Sequence, residues 1–99
     1  MAKLISKTYG EALFELAVEE NKVDIFEQEI SAILEIMNQN PDFIQLLNHP
    51  KISKEEKMKV MDEVFGGKVT KEIQGFLNIV ALKERNKDLI AIMEYFLNE

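Results

Sequence analysis

At 99 residues, 46% of them hydrophobic and 30% charged, the chain is long enough for one domain and too apolar to stay disordered. Twelve basic residues against eighteen acidic ones leave a net charge of −6, which speaks against a nucleic-acid partner because phosphate binding needs a basic face. No cysteine is present, so disulfides and thiolate metal sites are excluded, in keeping with a reducing compartment.

Helical periodicity dominates, and no segment shows sustained two-residue alternation. The first helix is predicted from about Lys3 to Glu20. Ile5, Tyr9, Ala12, Leu13 and Leu16 form its inner stripe, widened by Phe14 and Ala17. Asn21 is a suitable stop, since asparagine tolerates the left-handed conformation in which helices often end. A second helix over about Val23 to Asn38 places Phe26, Ile30, Ile33, Leu34 and Met37 on one side. Asn40-Pro41 reads as an N-cap followed by proline at the first helical position, opening a short third helix to Asn48, beyond which Pro50 forbids continuation.

Ser53 opens a fourth helix, with Glu56 three residues on completing a capping box. Met58, Met61 and Phe65 make its inner stripe, and Gly66-Gly67 ends it. The fifth helix is predicted from near Thr70 to about Arg85. Asn86 separates it from a sixth, in which Leu89, Met93, Phe96 and Leu97 share a face. The expected fold is all-α, a compact six-helix bundle forming a single domain over residues 1–99.

The fifth helix carries more apolar surface than one face can hold. Ile73, Phe76, Leu77 and Val80 define one side, while Ile79, Ala81 and Leu82 fall outside it. Such a helix is either surrounded by its own chain or turns a second face to a partner. Gly75 sharpens the choice. A mid-helix glycine costs about 1 kcal/mol relative to alanine, which close approach of another backbone would offset. That backbone belongs either to this chain or to a partner. If the first and fifth helices lie side by side, Ala12, Gly75 and Ile79 would floor a shallow groove of the kind that takes an amphipathic helix.

Residues that could carry chemistry are scarce. His49 is the sole histidine and sits in a turn beside Pro50, so zinc ligand sets cannot be assembled, and a di-iron site would need two Glu-x-x-His helices. Gly66-Gly67-Lys68 lacks the rest of a phosphate-binding loop, because Asp62 and Val69 stand where that pattern needs glycine and serine or threonine. Glu11, Glu15 and Glu19 lie along an exposed face rather than in a desolvated cleft. Met37, Met58, Met61 and Met93 read as core filler. No enzyme activity, cofactor or metal is expected.

Charge is unevenly placed. Glu11, Glu15, Glu19, Glu20, Asp24, Glu27 and Glu29 surround the single base Lys22, whereas bases outnumber acids from Lys51 to Lys87. These are either solvated helix faces or an acidic front that steers a basic partner. No apolar run approaches the roughly 18 residues of a membrane span, and the opening Met1–Lys7 lacks the apolar stretch of a secretory signal. A soluble, cytoplasmic domain without direct membrane insertion is expected.

Tyr9-Gly10-Glu11-Ala12-Leu13-Phe14-Glu15-Leu16-Ala17 resembles the Tyr-Ala-x-Ala-Leu-Phe-x-x-Ala signature that opens the delta subunits of F-type ATP synthases, whose mitochondrial counterpart is the oligomycin-sensitivity-conferring protein. Leu46-Leu47-Asn48-His49-Pro50-Lys51-Ile52, then Lys57, Gly75-Phe76-Leu77 and Arg85 follow the same family in order. Gly10 departs from the usual alanine, which would loosen the first helix. Glu84 stands where the family often has glycine, making Asn86 the expected helix stop instead.

The resemblance implies a non-catalytic stator subunit at the cytoplasmic face of the membrane. Its six-helix N-terminal domain would bind the N-terminal helix of an alpha subunit through the first and fifth helices. Tyr9, Ala12 and Ile79 fall in that region by position; periodicity adds Gly75 and Phe76, and Ile5 and Leu82 complete the expected partner-binding set. A C-terminal part that meets the peripheral-stalk b subunits is expected beyond this chain. The competing reading is a self-associating helical domain paired through its fifth helix.

Overall fold

The computed structural model describes the backbone of residues 2–98 and the side chains from Leu4 to Asn98. Met1 and Glu99, the ends of the expected domain, lie outside the described residues. Six α-helices follow in the expected order: α1 (Ala2–Glu19), α2 (Val23–Gln39), α3 (Pro41–Asn48), α4 (Lys54–Phe65), α5 (Lys71–Leu82) and α6 (Leu89–Leu97). A single 3-10 turn, Asn86–Asp88, leads into α6, and no strand occurs among the described residues. The fold is all-α. Its contacts cluster into two compact units: one holds α1, α2 up to Ile36 and α6, the other runs from Met37 to Lys87.

In the first unit α1 packs against α6. The buried face of α1 is Ser6, Gly10, Leu13 and Ala17, recurring at helical spacing. This corrects the predicted stripe: Ile5, Tyr9 and Leu16 are only half-buried, and Ala12 is exposed. The reason is steric. The partner α6 brings Ile92, Met93, Tyr95 and Phe96, and so much volume is accommodated best against a helix whose facing residues are small. Periodicity weighted by hydrophobicity selects the bulkier face instead. Phe96 sits at the centre, its ring 5.8 Å from Phe14 and 6.5 Å from Phe26. Ile30, Ile33, Leu89 and Ile92 complete the core of this unit.

Gly10 makes the close approach possible. A Cβ placed there would lie 2.6 Å from Cδ1 of Tyr95 and 3.2 Å from its Cβ and Cγ. The expected loosening of α1 is therefore offset by a ring laid on its backbone, whose hydroxyl donates to Glu11 Oε2 at 3.4 Å. Gly10→Ala is expected to destabilise the protein by about 1–2 kcal/mol, overpacking outweighing the gain of about 1 kcal/mol in helix propensity. In a Tyr95→Ala background the same substitution should instead stabilise. Urea unfolding of the four proteins checks this reversal of sign.

In the second unit α4 packs against α5. Leu47, Met61, Phe65, Ile73, Leu77 and Val80 are buried there, and the Phe43 ring meets Phe65 edge-on at 6.0 Å. Ser53 caps α4 through a reciprocal capping box: its hydroxyl accepts from the Glu56 amide at 3.1 Å, and the Glu56 carboxylate accepts from the Ser53 amide at 3.4 Å. Thr70 caps α5 by accepting from the Ile73 amide. Gly66 and Gly67 form a tight turn in which the Lys68 amide donates to the Phe65 carbonyl and Gly67 has φ 77°.

Two non-glycine residues take positive φ, and both end helices. Asn21, φ 58°, closes α1 as predicted: its amide donates to Val18 and that of Lys22 to Ala17. Glu84, also φ 58°, closes α5 in the same way, with its amide on Ala81 and that of Arg85 on Val80. The helix therefore stops at Leu82 rather than near Arg85. Glu84 itself supplies the left-handed residue, and Asn86 instead starts the following 3-10 turn.

Candidate protein-binding faces

Once α6 has covered the small-residue side of α1, a second apolar strip remains. Ile5, Tyr9 and Ala12 recur at i, i+4 and i+7 on that strip, and Leu16 extends it. Leu16 was missing from the predicted set, although its i+4 spacing from Ala12 marks it. The acids Glu11, Glu15 and Glu19 are exposed on the same helix, and Glu20 in the turn that follows it.

The second unit repeats the situation on α5. Ile73, Leu77, Val80 and Ala81 are buried. On the opposite side Gly75, Ile79 and Leu82 share a face, with Ile79 51% and Leu82 46% exposed. Phe76 lies half-buried on the flank. A Cβ built on Gly75 meets no atom within 4 Å, so no backbone of this chain crowds it among the described residues. Of the two offsets considered for that glycine, close approach by the chain's own backbone is removed.

Between the buried and exposed sides of α5 lies a polar edge. Gln74 Nε2 and Asn78 Nδ2 both donate to Asp62 Oδ1 on α4, at 3.0 and 3.2 Å, and Gln74 Nε2 also lies 3.4 Å from Asn78 Oδ1. Sequence reasoning missed this cluster. Its signal was present, since Gln74 and Asn78 are the only polar side chains between Ile73 and Leu82.

Among the described residues no three His, Asp or Glu side chains cluster to hold a metal ion, and no helix is long and apolar enough to cross a membrane. What the geometry offers is apolar contact surface.

The sequence profile of the ATP synthase delta (OSCP) subunit matches residues 5–99. The chain belongs to the ATP synthase delta (OSCP) family. An ATP synthase subunit delta from Lachnoclostridium phytofermentans is 50% identical over 97 residues, 98% of this chain and 53% of that protein. Subunits of the same name from Alkaliphilus oremlandii and Brevibacillus brevis are 38% and 35% identical, covering 91% and 97% of this chain and 52% and 55% of theirs. The chain thus spans about half the length of the curated relatives it matches.

Glu84, the residue before Arg85, is held at φ 58°. A side chain held left-handed costs roughly 1–2 kcal/mol, a strain glycine escapes. Glu84→Gly is accordingly expected to stabilise the fold by about 1 kcal/mol, read as a raised urea midpoint at unchanged m-value.

Proposed function

We propose that this chain is the N-terminal helical domain of a delta subunit that acts as a non-catalytic stator connector, holding the catalytic head of an F-type ATP synthase by docking the N-terminal helix of an alpha subunit. The observation that carries the reading is the uncovered apolar face of α5, Gly75, Ile79 and Leu82 with Phe76 beside it, in a chain of this family. Ile5, Tyr9 and Ala12 on α1 form an apolar strip of the other unit, proposed as a contact surface in its own right. An amphipathic helix laid on such a face gains by burying its own apolar stripe.

The work of such a domain is mechanical. A rotating shaft drags on the head, and a stator must resist that torque without slipping, so its grip needs affinity rather than turnover. Apolar burial provides grip that salt does not weaken, while exposed acids on α1 would steer a basic helix during approach. Peripheral-stalk b subunits would be met by the part of the longer relatives that this chain does not match. The subunit would be peripheral, on the cytoplasmic face of the membrane.

Calorimetric titration with a synthetic peptide of the alpha N-terminus tests the proposal. Saturable binding with a negative heat-capacity change is expected from apolar burial. Absence of binding by the native chain, or equal binding after Ile79→Asp, would count against it. Sedimentation of the chain alone addresses the competing self-association: a dimer that persists on dilution and dissociates on Ile79→Asp would assign the α5 face to a second copy.

A further inference from the structure

A helix that is apolar almost all round has poorly specified rotation about its own axis, and α5 is such a helix. Its buried arc is Ile73, Leu77, Val80 and Ala81. Ile73, Phe76, Ile79 and Val80 form an alternative arc, reached by turning the helix less than one residue step of about 100°. The alternative exchanges Leu77 and Ala81 for Phe76 and Ile79, a gain in buried apolar area, but it also turns inward Glu72, which lies between Ile79 and Phe76 on the helix. Apolar area alone therefore does not choose the observed rotation.

Polar groups do: Glu72 stays off the buried arc, and hydrogen bonds fix the rest. Gln74 and Asn78, the two polar side chains between Ile73 and Leu82, converge on one carboxylate oxygen, Asp62 Oδ1. The same rotation leaves Gln74 Oε1 buried with no hydrogen-bond partner. Turning the helix would release that atom to water, so the bonds to Asp62 must outweigh that release.

We propose that Asp62, Gln74 and Asn78 form a rotational lock, in which Asp62 is the positioning residue that keeps the Gly75–Ile79–Leu82 face of α5 turned outward. The consequence for partner docking rests on the function proposed above; the lock itself does not. Two amide donors four residues apart on one acceptor fix a helix about its axis, because both distances can be met at only one rotation.

The absence of native cysteine allows a direct test by thiol accessibility. Single-cysteine variants Ile79→Cys and Ala81→Cys are placed in the native, Asp62→Ala and Asp62→Asn backgrounds, and the rates of reaction with a disulfide reagent are compared. In the native background the thiol at position 79 should react at least about 100-fold faster than that at position 81, a gap of about 2.8 kcal/mol at 1.4 kcal/mol per decade. Asp62→Ala should narrow the ratio by at least about tenfold, whereas Asp62→Asn, which keeps an acceptor oxygen, should restore most of it. A ratio unchanged within about twofold in Asp62→Ala overturns the lock. If circular dichroism shows Asp62→Ala unfolded, the Gln74→Ala/Asn78→Ala pair replaces it under the same criterion. A narrowed ratio with undiminished binding of the alpha N-terminal peptide would keep the lock and reject the docking face. An unchanged ratio with binding by the native chain would do the reverse.

Discussion

Ile79→Asp should weaken binding of the alpha N-terminal peptide by at least about 100-fold, or roughly 2.8 kcal/mol at 1.4 kcal/mol per decade. Ile79 is half-exposed in the free chain, so docking would remove the remaining half of its surface from water. That loss is worth on the order of 1 kcal/mol from area alone. An aspartate adds the desolvation of a carboxylate with no partner, which exceeds the area term. The free protein should scarcely notice. Isoleucine and aspartate have similar helix propensities, and a charge near the C-terminal turn of α5 costs less than about 1 kcal/mol. Isothermal calorimetry beside thermal unfolding separates the two effects. Binding lost at unchanged Tm supports the α5 face, whereas equal losses in both would mean that Ile79 serves the fold.

Phe96→Ala should produce the largest loss of stability. The ring is buried and touches the rings of Phe14 and Phe26 across the first unit. Removing a buried aromatic side chain costs about 3–5 kcal/mol, part from transfer and part from the cavity left behind. Aromatic pairing adds to that cost. Against a total of about 5–15 kcal/mol for an ordinary domain, this is a large fraction. Thermal unfolding followed by circular dichroism should show Tm falling by more than about 10 °C, since each kcal/mol shifts a domain this size by about 4–8 °C. Phe14→Ala should cost less, because Phe14 keeps part of its surface in water. A fall for Phe96→Ala no larger than that for Phe14→Ala would show that the first unit is not centred on Phe96.

Local signals carried the helix order far. Ser53 with Glu56 and Thr70 before Lys71 start helices because a side-chain oxygen meets an amide three residues on, an interaction that needs no tertiary partner. Pro41 and Pro50 act through their own rings. The end of α5 was less legible: stopping a helix requires a left-handed residue, and glutamate does not announce one. Glu84 takes it because Val80 and Ala81 are buried and hold the turn that follows.

The candidate binding residues were legible in part. Ile79 and Leu82 stood out because the fifth helix held more apolar residues than a single buried arc can use. On α1 periodicity placed Ile5, Tyr9 and Ala12 inward, since a strip of serine, glycine and alanine looks like the weaker side, while the same residues were also named as partner-binding, Tyr9 and Ala12 through the family resemblance. Only the bulk of Tyr95 and Phe96 opposite makes small residues the better core. The Asp62 cluster joins residues twelve and sixteen positions apart, a pairing that no local period encodes.

By itself, then, the sequence determined what is set within a turn or two of helix: where helices begin, that the protein is all-α, and which family it resembles through a motif on α1. Tertiary structure decided which of two apolar faces α1 and α5 each bury. That choice depends on the shape and hydrogen bonding of the helix lying opposite, and in a chain this rich in apolar residues hydrophobicity alone leaves more than one good answer.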